Sequence, residues 1–120
     1  MSNKLEDTSQ ELVKVIKETD IYLNYVREKE KIAKFPEIKE GIDNFRRRNY
    51  EIQNTKDPDV LFELVDVFER EYSEFRSNPL VNDFLEAELA LCRMMQGLYI
   101  SITEAINFDM ELTGGRDNEC

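Results

Sequence analysis

The sequence predicts an all-α protein, an antiparallel bundle of about five helices with a long C-terminal helix at its centre. Apolar residues recur at three- and four-residue steps along most of the chain, and no useful stretch alternates with a period of two. Glycine and proline are scarce, 4 and 3 in 120 residues, so the elements should be few and long. All three prolines, Pro36, Pro58 and Pro79, stand where a helix can begin. The first helical turn does not need the N–H that proline lacks. The residue before each proline is pushed out of the helical region, which closes the preceding helix.

Met1 to Asp7 is polar and is expected to be a flexible N-terminus. A helix is expected from Thr8, because Glu11 follows at the spacing of a capping box. Leu12, Val13 or Val15, Ile16 and Thr19 continue one face. Tyr22, Val26, Ile32 and Ala33 keep helical spacing beyond it, with Tyr25 adding width. The periodicity allows one bent rod or two helices; Thr19 and Asp20 favour a break, since both residue types compete with the backbone for hydrogen bonds.

From Pro36, a helix shows Ile38, Ile42, Phe45, Asn49 and Ile52 in register, with Phe35 a poor cap before it. Gly41 inside it is either a weak point, costing about 1 kcal/mol against alanine, or a place where another backbone comes close. From Pro58, capped by Asp57, Leu61, Leu64, Val65, Phe68, Tyr72 and Phe75 face inward, while Asp59, Glu63, Asp66 and Glu69 face water. From Pro79, capped by Asn78, Val81, Leu85, Glu88, Cys92, Met95, Tyr99, Ile102 and Ile106 form one row, and Phe84, Leu91, Leu98 and Ala105 a second. Two adjacent apolar rows make a face wide enough for more than one neighbour, so this helix is expected to be the rod that the others pack against. The regular structure should fade near Phe108. Residues 8–108 then form a single helical domain, and 109–120 a flexible acidic tail that includes Gly114 and Gly115.

The composition, 41% hydrophobic and 35% charged, is globular. The net charge is −10, and it is unevenly placed: 12 Lys and Arg face 13 Asp and Glu in residues 1–60, but 4 face 13 in residues 61–120. Such a balance disfavours nucleic acid and anionic membranes. The chain has no histidine, which removes the commonest general base and metal ligand. Two cysteines, Cys92 on an apolar helix face and Cys120 at the end, suggest no disulfide framework. With no secretory leader and no membrane-length apolar run, a cytoplasmic location is expected.

Glu88 interrupts the apolar row of the last helix. A buried carboxylate must be paired, protonated or at a rim. It is read as a structural polar pin, with Arg46 (or its neighbours Arg47 and Arg48) as partner, or as an edge residue reaching water. Arg46, Arg47 and Arg48 point about 100° apart on a helix, so they read as a salt-bridged face rather than a nucleic-acid patch. Cys92 beside Met94 and Met95 reads as adaptable core filling. The serines have no base beside them, and no calcium loop, phosphate-cradling loop or nucleophile elbow is present. No catalytic, cofactor or metal residues are assigned, and no enzyme is expected. The aromatic residues outnumber what a thin bundle hides, so Phe62, Tyr72, Phe84 and Tyr99 are candidate interface residues, either covered by the first two helices or shared across a two-fold axis.

The run Asn78-Pro79-Leu80-Val81-Asn82-Asp83-Phe84-Leu85-Glu86-Ala87-Glu88, followed by Leu91-Cys92-Arg93-Met94-Met95-Gln96, resembles the YlbF/YmcA-like family of bacterial cell-fate regulators. Phe35-Pro36-Glu37-Ile38-Lys39 and Asn44-Phe45-Arg46 resemble it too, and the similarity spans roughly Leu12 to Phe108. The resemblance implies a small helical protein that acts by binding proteins, itself (a dimer being simplest) and related regulators. It implies a part in a complex that influences sporulation, competence, biofilm formation and RNA maturation. Some relatives carry cysteine-bearing tails linked to iron–sulfur clusters. Here the tail offers only Cys120, so an iron–sulfur or redox adaptor would need further ligands from a partner. That is the alternative expectation, and direct RNA binding stands behind both.

Overall fold

The computed structural model of the chain describes residues 2–107, which form α1 (Ser2–Lys17), α2 (Asp20–Ala33), α3 (Pro36–Gln53), α4 (Pro58–Arg76) and α5 (Pro79–Ala105). No strand occurs among the described residues. The architecture is the all-α, five-helix one that the apolar periodicity predicts.

Each helix start has a local cause. α1 begins at Ser2, ahead of the expected start at Thr8. Thr8 lies inside the helix, and its hydroxyl donates to the Lys4 carbonyl at 2.8 Å instead of capping. α1 and α2 are separate helices. The Thr19 hydroxyl accepts from the Tyr22 N–H at 3.1 Å and donates to the Ile16 carbonyl at 2.7 Å, which closes one helix and opens the next. α3 opens on Pro36 without a side-chain cap at Phe35. Asp57 accepts from the Asp59 N–H at 3.0 Å, and Asn78 from the Leu80 N–H at 3.0 Å, so α4 and α5 both start from a capping side chain before proline. The α4–α5 turn is tied by Arg76, whose Nε donates to Asn82 Oδ1 at 2.9 Å. Asn107 takes a left-handed φ of 56° just past the end of α5.

The chain falls into two compact units. Among the described residues, one takes 2–27 and 85–107; the other takes Glu28–Phe84. The second unit holds most of the deeply buried side chains: Ile32 from α2, Ile38 and Ile42 from α3, and Val81 and Phe84 from the start of α5. It also holds the buried carboxylate Glu28, 7% exposed, whose Oε2 is 3.1 Å from Lys31 Nζ.

Within this second unit, α3 and α4 are antiparallel, as three cross-helix contacts show. Gly41 meets the Phe75 ring, Phe45 meets Tyr72, and Arg48 meets Glu71, so the partner number falls as the α3 number rises. Phe45 stacks on Phe75 with ring centroids 5.0 Å apart and meets the Phe68 and Tyr72 rings edge-on at 5.7 and 5.4 Å. Arg48 lies over both Phe45 and Phe68, 5.1 and 5.6 Å from their centroids, and reaches Glu71 at 2.7 Å. The guanidinium thus closes one end of an aromatic cluster while keeping its charge paired.

Gly41 is needed for the other end. A Cβ there would fall 2.8 Å from two atoms of the Phe75 ring, and that ring is held by its stack on Phe45. The structure places a side chain there, the Phe75 ring, and not the neighbouring backbone that the second reading of this glycine expected. Gly41→Ala should therefore destabilise the protein by roughly 1–3 kcal/mol, although alanine is the better helix former by about 1 kcal/mol. Urea unfolding checks this. The accompanying change Phe75→Leu should make Gly41→Ala neutral or favourable, and a rise in the midpoint for Gly41→Ala alone would contradict the packing.

Candidate interaction surface

The long apolar row of α5 is buried at its start and open at its end. Val81, Phe84 and Ala87 are buried, at steps of three along the first turns. Leu85, Glu88 and Cys92 are half-buried. Beyond them Met95, Tyr99, Ile102 and Ile106 are 39–65% exposed. The expected rod that the others pack against is covered over its first turns; the same row continues beyond them, but its distal half faces water. Periodicity reports that a face is apolar and not what covers it.

The open row steps by four, three and four, the spacing of a coiled-coil seam. From Leu91 to Ala105 the helix carries only Arg93 and Glu104 as charged residues. Both lie on the side opposite the seam, given 100° per residue. In the same unit α1 adds Leu5, Leu12 and Ile16 on one face, with Leu5 and Leu12 exposed. The unit thus displays apolar side chains at helical spacing on two of its helices, far more than scattered surface residues would.

The other predicted residues are distributed as follows. Glu88 is half-buried on the α5 segment of the first unit, and Arg46 is exposed on α3 in the second. The most deeply buried carboxylate is Glu28, which the sequence reading did not single out. It shares a helix face with Ile21, Tyr25 and Ile32, at steps of four, three and four, whereas Glu30, the other glutamate of α2, is exposed on another side; that row is the signal that could have found it. Phe62 is 77% exposed on α4, away from the aromatic cluster. Tyr72 belongs to that cluster, stacked on Phe68 at 5.5 Å. Phe84, 5% exposed, is an interior side chain and does not offer itself to a partner. Tyr99 lies in the open row of α5.

Cys92 is half-buried, and Cys120 lies outside the described residues. No group of three or more cysteine, aspartate or glutamate side chains that could hold a metal occurs among the described residues. No helix among them is long and apolar enough to cross a membrane. What the described residues do offer is open apolar helix faces.

These features define a class of all-helical proteins that present apolar helix faces. The sequence profile described as "Control of competence regulator ComK, YlbF/YmcA" matches residues 5–107, and the chain belongs to that family. It is similar to a UPF0342 protein of Desulfitobacterium hafniense, 32% identical over 120 residues that cover 94% of this chain and 92% of the relative. A UPF0342 protein of Caldicellulosiruptor bescii is 27% identical over 113 residues, 92% of this chain and 95% of the relative. One of Symbiobacterium thermophilum is 27% identical over 109 residues, 89% of this chain and 97% of the relative. No solved structure matches the chain at comparable significance. The family's description is regulatory and names no reaction.

The different settings of two phenylalanines give a direct check. Phe62→Ser should change stability by no more than about 0.5 kcal/mol, as expected for an exposed site. Phe84→Ala should cost roughly 3–5 kcal/mol. Chemical denaturation of the two variants separates them, and equal losses would contradict the assignment of one to the surface and the other to the interior.

Proposed function

We propose that the protein is a non-enzymatic regulatory adaptor that acts in the cytoplasm by binding a second copy of itself and related regulators. One observation carries the reading: the seam of Met95, Tyr99, Ile102 and Ile106, which is built like an intermolecular helix contact and is exposed in the single chain. A second copy is a suitable cover, because the nearly uncharged stretch from Leu91 to Ala105 lets two such helices approach without repulsion. A two-fold pairing would make each seam the other's partner and close the assembly. The family's description, control of the competence regulator, supports a regulatory role. The linked programmes of sporulation, biofilm formation and RNA maturation belong to the same proposal.

Light scattering after size exclusion tests it. The wild-type protein should run as a dimer or larger assembly at micromolar concentration. Ile102→Glu should lower the mass to that of one chain while leaving the far-ultraviolet helical signal intact, since a charge on the seam loses its hydrophobic contact and repels its copy. A wild-type protein that remains monomeric at that concentration would overturn the reading.

A further inference from the structure

α4 carries a second apolar stripe that the core does not use. Val60, Leu64 and Val67 step by four and three, which puts them within about 60° of one another around the helix. They are 40–45% exposed. The inward face of Leu61, Val65, Phe68, Tyr72 and Phe75 is centred roughly 90° away. One edge of the stripe therefore borders the α3–α4 aromatic cluster. The other edge is acidic. Asp59, Glu63, Asp66 and Glu74 stand on that side with Arg70 the lone cation of α4 among them. Arg70 is already paired with Asp66 at 3.0 Å, and Glu71, within the stripe, with Arg48 at 2.7 Å. Glu63 and Glu74 are exposed and have no ion pair among the described residues. They lie in one column, eleven residues apart, or about 16 Å along the axis.

We propose that this face of α4 is a docking site for a basic amphipathic helix of another protein. The apolar residues of such a helix, at i, i+3, i+4 and i+7, would lie along Val60, Leu64 and Val67. Its flanking lysine or arginine side chains would meet Glu63 and Glu74, whose charge is otherwise unanswered. Charge decides against a second copy of this chain as the occupant, because two α4 helices laid face to face would bring their acidic edges together. The contrast with α5 is direct: that seam is nearly uncharged and suits self-association, whereas the α4 stripe is walled by carboxylates. The inference does not depend on the proposed dimer, since α4 lies wholly within the unit Glu28–Phe84.

The probe is a fluorescein-labelled peptide of leucine and lysine, roughly five helical turns long, with its leucines on one face, titrated with the full-length protein by fluorescence polarisation at low salt. The wild-type protein should bind it. Glu63→Lys with Glu74→Lys should weaken binding by at least about tenfold, close to 1.4 kcal/mol. Val67→Glu should weaken it to a similar degree even though it makes the protein more acidic, which separates apolar docking from bulk attraction. Glu40→Lys with Glu51→Lys on α3 alters net charge as much as the α4 pair does and should leave binding unchanged. A scrambled peptide of the same composition should bind at least about tenfold more weakly. Equal binding of the scrambled peptide, or equal loss with the α3 pair, would overturn the proposal as attraction by net charge alone. Dissociation of the protein's own assembly by Val67→Glu, read by light scattering, would also overturn it by making a second copy the occupant.

Discussion

Water will not tolerate cheaply a helix face as apolar as that of α5, and the architecture turns on where this face is covered. Burying apolar surface is worth roughly 25 cal/mol per Å², so a row of four large side chains left open is a standing drive toward association. The chain covers the first turns of the helix, where Val81, Phe84 and Ala87 are buried. It leaves Met95, Ile102 and Ile106 open at the other end. A helix that is half core and half surface, with one unbroken period, carries the proposed self-association on the same face that its first turns bury.

The other unit solves a different packing problem. Short connections force α3 and α4 together, and the absence of a side chain at Gly41 lets Phe75 reach the α3 backbone. Phe45, Phe68 and Tyr72 fill the space above, and Arg48 ends the cluster while pairing with Glu71. Because α4 contributes its aromatic face to this cluster, it is held in place while its outer face remains free. None of its residues is fully buried. An outer helix fixed on one side and carrying both apolar and acidic groups on the other is well suited to recognition.

Much of this was legible in the sequence because its causes are local. Asp57, Asn78 and Thr19 cap the helices that their chemistry predicts, and the three prolines mark helix starts. The family resemblance was legible as well, since it rests on the order and spacing of those same helix starts and apolar rows. What could not be read depends on distant parts of the chain. One miss is local instead: the Thr8–Glu11 spacing signals a cap, but the Thr8 hydroxyl bonds back to the Lys4 carbonyl inside a helix that begins at Ser2. Phe62 and Phe84 look alike in composition, yet one projects into water and the other into the interior. Glu28 is buried and Glu88 only partly so, a difference set by which neighbours arrive rather than by either residue's place in its heptad.

The central claim is that the distal seam of α5 is completed by a second chain. Hydrogen–deuterium exchange followed peptide by peptide across a wide range of protein concentration tests it most directly. Amides of Met95–Ile106 should become more protected as concentration rises, while those of α3, inside its own unit, should exchange at a rate independent of concentration. Protection of the α5 segment that stays constant over the whole range would contradict the account.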